Sequence, residues 1–482
     1  MYNPKSLKAE EFIDDAEVLA SLEYAEKNKH NRELIESILE KAAPKKTGRG
    51  TECAGLSHRE ASVLLACDIP ELNERMFKLA NDIKQAFYGN RIVMFAPLYL
   101  SNYCVNKCVY CPYHYQNKTI PRKKLTQEEV KNEVIALQDM GHKRLAIEAG
   151  EDPVNNPIEY ILECIKTIYS IKHKNGAIRR VNVNIAATTV ENYKKLHDAG
   201  IGTYILFQET YHKESYEKLH PAGPKHNYAY HTEAMDRAME GGIDDVGLGV
   251  LFGLELYRYE FAALLMHAEH LEAVHGVGPH TISVPRLKRA DDINPDEFDN
   301  GIDDDTFAKI IACIRIAVPY TGMIISTRES EQCRNRVLDL GISQISGGSR
   351  TSVGGYAGYS ADERPHDTEQ FDVSDQRSLD EVVKWLMELG YIPSFCTACY
   401  REGRTGDRFM SLCKTGQILN CCHPNALMTL KEFLEDYASP ETKEIGEKLI
   451  AEELEKIPNE KARALAKNYI ENIHLGKRDF RF

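Results

Sequence analysis

From residue 91 the chain alternates short, β-branched apolar runs with longer stretches of helical texture. Eight runs have strand character: Ile92–Ala96, Arg144–Ala149, Val181–Ala186, Thr203–Phe207, Asp245–Phe252, Thr281–Pro285, Met323–Thr327 and Ile342–Ser346. Most of the gaps hold a helix, which is the pattern of parallel strands joined by crossovers. Ala199-Gly200 and Gly241-Gly242 each precede a strand and read as helix stops. Eight such units in about 260 residues predict an α/β fold, a (β/α)8 TIM barrel. The gaps before the fifth and seventh runs exceed one helix and carry extra structure. The last, Glu329 to Gly341, is short and makes the eighth unit the weakest of the set.

The flanks differ in texture. Residues 1–90 form a polar, helical N-terminal extension, in which Ser57-His58-Arg59-Glu60 has capping-box spacing and Pro70 suits a first helical turn. After the barrel (91–360), residues 361–378 are acidic and nearly free of apolar side chains, and read as a connector. A mainly helical C-terminal domain (379–482) follows. It opens on a second capping box, Ser378 to Glu381, and is interrupted by a Cys/Gly/Arg-rich loop at 396–422.

Composition narrows the setting. At 482 residues and 43% hydrophobic content the chain buries a large core, and no apolar run reaches membrane-spanning length. A net charge of -13 argues against a nucleic-acid partner. Thirteen cysteines behind a start without a signal-peptide pattern point to reduced thiols used as metal ligands, and a cytoplasmic location is expected.

The chemistry concentrates after the first strand, where Cys104, Cys108 and Cys111 stand as C-x3-C-x2-C with Tyr110 before the last. Three thiolates hold three corners of a cubic [4Fe-4S] cluster and leave one iron open for chemistry; the alternative is a zinc knuckle. Barrel chemistry sits on loops at strand C-termini, and other polar groups fall there: Gly150-Glu151-Asp152, Gln208-Glu209, Arg286, Arg328-Glu329 and Ser349-Arg350. The run Gly247-Leu248-Gly249-Val250-Leu251-Phe252-Gly253 misses the dinucleotide spacing by one residue and lies inside a strand. The three arginines could each pair with a carboxylate, or form ordinary surface salt bridges.

The cysteine stretch resembles the signature of the radical S-adenosylmethionine (SAM) enzymes. The resemblance implies that SAM binds the open iron and is cleaved by one electron to methionine and a 5′-deoxyadenosyl radical. It also implies that Gly150, Glu151 and Asp152 meet the amino group of SAM, and that Arg286 meets its carboxylate. Tyr110, Glu209 and the glycine-rich strand with Leu251 are then expected around SAM, the strand against its adenine. Gln208 to His212 together with Ser283 to Arg286 is similar to the tyrosine lyases of this superfamily. Their branches are the 2-iminoacetate synthase of thiazole biosynthesis (ThiH) and the [FeFe]-hydrogenase maturase type (HydG). The implied substrate is L-tyrosine, cleaved at Cα–Cβ to p-cresol and dehydroglycine. Arg328 would clamp its carboxylate, with Ser349 and Arg350 assisting.

The tail separates the branches. Cys396-Thr397-Ala398-Cys399 followed by Cys422 reads C-x2-C-x22-C, with Cys413 and Cys421 as competitors and a zinc ribbon as the alternative. Pro424 and the run from Ala426 predict a helix N-terminus just after Cys422, suited to an anionic cluster. HydG-like proteins carry this spacing. The resemblance implies an auxiliary [4Fe-4S] or [5Fe-5S] cluster with a labile extra iron and a free cysteine, where dehydroglycine becomes CO and cyanide. His280, at the start of the sixth strand, is the expected ligand of the extra iron, with His275 second. A reductant protein and transient contacts with other hydrogenase maturation factors are implied on the same ground.

Overall fold

The computed structural model describes residues 1–48, 50–358 and 368–482. Part of the acidic connector, 361–367, lies outside the described residues. Eight parallel strands close into a barrel: β1 (Arg91–Ser101), β2 (Arg144–Ala149), β3 (Arg180–Asn184), β4 (Tyr204–Ile205), β5 (Val246–Gly249), β6 (Thr281–Ser283), β7 (Gly322–Ile325) and β8 (Gln344–Ser346). Each pairs with its neighbours in sequence order, and β8 returns to β1 with Gln344 opposite Val93 and Ser346 opposite Phe95. All eight expected strands are present, several of them shorter than their apolar runs. The long run at 245–252 keeps only four residues in the ladder, because the chain turns onto the rim after Gly249.

The extra structure expected before β5 consists of short helices over 213–219, 228–232 and 234–240. The eighth unit is complete, with a crossover helix of eight residues, Glu331–Leu338, capped by Ser330. Both predicted capping boxes form, at Ser57/Glu60 and Ser378/Glu381. Gly200 and Gly242 take left-handed φ of 74° and 93° just past their helices, which an L side chain resists.

Two features exceed the pattern. A ninth strand, β9 (Ile392–Ser394), pairs in parallel with the first residues of β1, Ile392 opposite Arg91. It delivers Cys396 to the closed end of the barrel, where Arg144 donates to the Cys396 carbonyl at 2.8 Å. The helix Leu419–Asp436 packs beside it, with Phe395 stacked on Phe433 at 4.9 Å and a fully buried Lys143–Glu432 ion pair joining barrel and tail. That helix starts earlier than the sequence suggested. Pro424 lies inside it, and the Cys422 N–H is already bonded to Ile418 at 2.9 Å, so no free helix N-terminus faces that thiol.

Candidate active site

The C-terminal rim of the barrel surrounds a cavity of ≈ 230 Å³ that reaches from the cysteine loop down to Asn182 and Gln344. Cys104, Cys108 and Cys111 line its wall, and Cys108 packs with Tyr110, Leu251 and Leu254 in a small apolar cluster of its own. Burial pushes all three thiols up from their ordinary range, Cys111 to about 12, so they become thiolates only against a metal. A tetrahedral zinc ion would hold its sulfurs about 3.8 Å apart. Among the described residues the one ligand group held within 4.8 Å is Asp304, Glu329 and Cys333, so the cysteine triad is spread more widely than a single ion requires. The donor set fits a multi-iron cluster.

Around the triad the charges are paired. Glu151 accepts from Asn106 Nδ2 at 2.6 Å, and Asn106 Oδ1 accepts from the Lys225 N–H at 2.9 Å. Lys225 Nζ reaches Glu209 at 2.8 Å; burial alone would lower this ammonium, but Glu209 and the Cys108 sulfur hold it above its ordinary value. Glu209 sits at φ 69°, a left-handed backbone held by the Leu251 N–H on its carbonyl at 3.1 Å. Tyr110 Oη lies 2.6 Å from His220 Nε2. Neither Asn106 nor Lys225 carried a sequence signal.

Gly150 lines the cavity, and its lack of a side chain has a structural reason as well. A Cβ there would stand 2.4 Å from the Tyr103 carbonyl, so the glycine admits the cysteine loop itself. Gly249 and Gly247 likewise make room for Phe207 and Thr281, each 2.5 Å from the added carbon, while Leu251 of the same run lines the cavity. Asp152 is turned away from the cavity and closes its own loop, accepting from the N–H groups of Val154 and Asn155 at 2.9 Å.

The three rim arginines part company. Arg286 is locked outside the cavity by Glu329, Asp304 at 2.7 Å and Cys333, on the face of Phe307, and the carboxylates hold its pKa up against burial. Arg286, expected at the SAM carboxylate, is thus already paired, and Lys288, 3.2 Å from Glu329, lines the cavity. Ser349 and Arg350 do not line it either: the Arg350 N–H is bonded to Tyr356 Oη at 2.9 Å, and Ser349 Oγ is buried beside them. Arg328 does line it. Its guanidinium stacks 3.6 Å from the Phe371 ring and makes no hydrogen bond or ion pair among the described residues.

Three further cavity residues were not among those expected from the sequence. Glu148, on β2, faces inward, and burial pushes its carboxyl up to about 8, so it is protonated at neutral pH. The described part of the supposed connector closes the mouth, with Phe371 buried under Arg328 and Gln370 accepting from Tyr99 Oη at 2.8 Å.

At the opposite end, Cys396 and Cys399 follow β9, and Cys413 is buried in the helix Gly406–Lys414. Cys422 is buried two turns before Thr429, whose Oγ1 accepts from the Phe395 N–H at 3.2 Å, and so shares the helix stripe that faces β9. Cys421 is turned off that stripe and is partly exposed. His280 Nδ1 lies 3.3 Å from Asp245, without a hydrogen bond, and Nε2 lies 3.3 Å from Tyr400 Oη. His275 is committed elsewhere, to Asp236 at 2.8 Å.

A closed parallel barrel with a trithiol loop on its C-terminal rim is the scaffold of a radical SAM protein. Residues 98–265 match the family model of the Radical SAM superfamily, and residues 283–392 match the Biotin and Thiamin Synthesis associated domain. A solved structure described as HydG, a maturase of the [FeFe]-hydrogenase, is 56% identical, with a TM-score of 0.91, covering 98% of this chain and 100% of that one. HydG from Carboxydothermus hydrogenoformans is 40% identical, with a TM-score of 0.81, over 96% and 99% of the two chains. The 2-iminoacetate synthase of Salmonella typhimurium is 29% identical over 347 residues, 72% of this chain and 88% of that protein. The chain belongs to the HydG/ThiH branch of the radical SAM superfamily. That membership carries with it a [4Fe-4S] cluster and SAM, and the rim cysteines fit the cluster. Among the described residues, no helix is long and apolar enough to cross a membrane.

Proposed function

We propose that this chain is a tyrosine lyase with two reaction sites, working in assembly of the [FeFe]-hydrogenase active site. The open rim would take L-tyrosine and release p-cresol and dehydroglycine, and the thiols of the closed end would hold the iron-sulfur group that supplies the chemistry for CO and cyanide. The observation that carries this reading is the pair of thiol sets at opposite ends of one barrel, with the cavity between them. Cys104, Cys108 and Cys111 would hold the first cluster, which with SAM would supply radical chemistry at the rim. Cys396, Cys399 and Cys422 would hold the second, and His280, 3.3 Å from Asp245, would hold the extra iron.

The chain's own residues do the rest. Arg328, without a hydrogen bond or ion pair to its guanidinium among the described residues, would take the tyrosine carboxylate in a bidentate pair. Phe371 and Gln370 keep water from that pair. Glu148, protonated, offers a hydrogen bond to the phenol end of the substrate. Asn106 and Lys225 anchor Glu151 and Glu209 as acceptors for the SAM ammonium group.

A second reading, a 2-iminoacetate synthase that stops at dehydroglycine, is favoured by the similarity to the Salmonella protein. One experiment separates them. The reconstituted protein is incubated anaerobically with SAM, dithionite and tyrosine, and 5′-deoxyadenosine, p-cresol, CO and cyanide are assayed together. All four products support the two-site lyase. p-Cresol without CO or cyanide supports the second reading, and the absence of p-cresol overturns both.

A further inference from the structure

Glu260, in the first turn of the helix Tyr257–His275, is buried at 0% exposure and has no ion pair among the described residues. Burial pushes its carboxyl up to about 8, so the group is neutral at pH 7. A buried acid without a cation is costly, and its hydrogen bonds show what it is kept for. Both oxygens are spent on one loop: Oε1 is bonded to Thr210 Oγ1, and Oε2 accepts from the Tyr211 N–H at 2.8 Å. These are the two residues that follow Glu209, which lines the cavity with a left-handed backbone at φ 69°. The chain on the other side of Glu209 is pinned as well. The Gln208 N–H donates to the Gly249 carbonyl at 2.9 Å, and Gln208 Nε2 donates to Thr232 at 2.8 Å. Two turns along the same helix face, His267 Nδ1 lies 2.8 Å from Tyr211 Oη, so one helix grips the loop twice.

A left-handed backbone on a glutamate persists where the surrounding structure over-determines it. The Leu251 N–H holds the Glu209 carbonyl and Lys225 holds its carboxylate, but neither stops the chain after Glu209 from relaxing. Glu260 does, with bonds to two consecutive residues. We propose that Glu260 is a positioning residue, which fixes the backbone at Glu209 and so aims that carboxylate at SAM. It does this from outside the cavity wall, without touching the ligand. The inference rests on Glu209 meeting SAM, as proposed above, and extends the determinants of SAM affinity to a buried helix behind the rim.

The test is a double-mutant cycle on SAM affinity, read by calorimetry on the anaerobically reconstituted protein, with iron content and Tm recorded for every variant. Glu260→Leu removes both oxygens. Glu260→Gln reproduces the neutral acid, with an acceptor for the Tyr211 N–H and a donor toward Thr210. Glu260→Leu is expected to weaken SAM by at least ~10-fold and Glu260→Gln by no more than ~3-fold. In a Glu209→Ala background Glu260→Leu is expected to add less than ~2-fold, because the carboxylate it aims is gone. If Glu260→Leu does not accumulate as folded protein, Thr210→Val takes its place in the cycle; it keeps the shape, removes one of the two bonds and is expected to cost ~5-fold. Losses that add in the double variant overturn the proposal, since Glu260 then supports the fold and does not act through Glu209. Unchanged SAM affinity in the Glu260 or Thr210 variant overturns it too, and a loss in Glu209→Ala alone leaves Glu209 at SAM and removes Glu260. If Glu209→Ala binds SAM as the wild type does while Glu260→Leu does not, the assignment of Glu209 to SAM falls and the proposal falls with it.

Discussion

The two ends of the barrel solve one electrostatic problem in opposite ways. At the open rim nearly every buried charge has a partner: Lys225 with Glu209, Glu151 with Asn106, Arg286 with Glu329 and Asp304. One guanidinium, Arg328, is left over beside a cavity. At the closed end Arg144 and Arg180 share Asp245, and Arg91 and Arg144 face the buried Cys396 thiol. Arg328 and Arg91 each rest on an aromatic ring, Phe371 above and Tyr88 below. A cavity-lining cation awaits a ligand that comes and goes, whereas a cation buried beside thiols needs an anion that stays. Under the proposed reading, the rim would capture substrate and the base would hold the auxiliary cluster.

The largest effect breaks the comparison at its upper end. Cys108→Ser removes a ligand of the rim cluster, and loss of all products, 5′-deoxyadenosine included, is expected, with iron content falling to that of one cluster. Residual SAM cleavage at the wild-type rate would remove the triad from the mechanism. The paired variant Cys396→Ser/Cys399→Ser breaks the lower end alone. p-Cresol is expected to persist within a few-fold of wild type while CO and cyanide vanish. If CO persists, the second site is not built on these thiols.

Arg328 sharpens the contrast. Arg328→Met is expected to lower kcat/KM for tyrosine by about 100-fold, chiefly through KM, as for loss of one partner of a buried bidentate pair. Arg328→Lys should recover part of that loss, since the charge returns without the planar fork. A KM that stays put in both variants would move the carboxylate elsewhere on the rim.

Much of this arrangement was legible in the sequence, for reasons that also set the limit. The eight strands announced themselves because a strand buried on both faces must be apolar and β-branched along its length. Both capping boxes were legible because four residues suffice to make one. The rim position of Cys104, Cys108 and Cys111 was legible because their spacing is local and follows the first strand. Roles that depend on long-range pairing were hidden: nothing in its own sequence shows that Arg286 meets Glu329, 43 residues on, or that Arg328 does not. Phe371 sat in a run too polar to suggest a lid, and β9 is three residues long with a proline in it. The helix start before Cys422 was misplaced because Pro424 normally marks a first turn, and here it lies six residues in. Glu148 did leave a trace, an acidic residue within an otherwise apolar inner strand, where a charge is rarely buried without a use.

That residue supplies the smallest and most discriminating effect. Burial holds the Glu148 carboxyl at about 8, well above an ordinary glutamate, with Asn184 and Arg328 opposing the shift. The sign is fixed by that direction: below pH 8 the group keeps its proton and donates a hydrogen bond into the cavity; above it the group becomes an anion. A buried anion there competes with the substrate carboxylate for Arg328. Tyrosine cleavage, measured as p-cresol per unit time at subsaturating substrate, is therefore expected to be level below pH 8 and to fall as pH rises through it. Glu148→Gln keeps a donor that cannot ionise, so the alkaline limb should flatten while the rate below pH 8 stays within about 5-fold of wild type. A limb unchanged in the variant would assign the titration to another group. A rate lost at every pH would instead mean that the phenol needs a group able to take its proton, a role glutamine cannot fill.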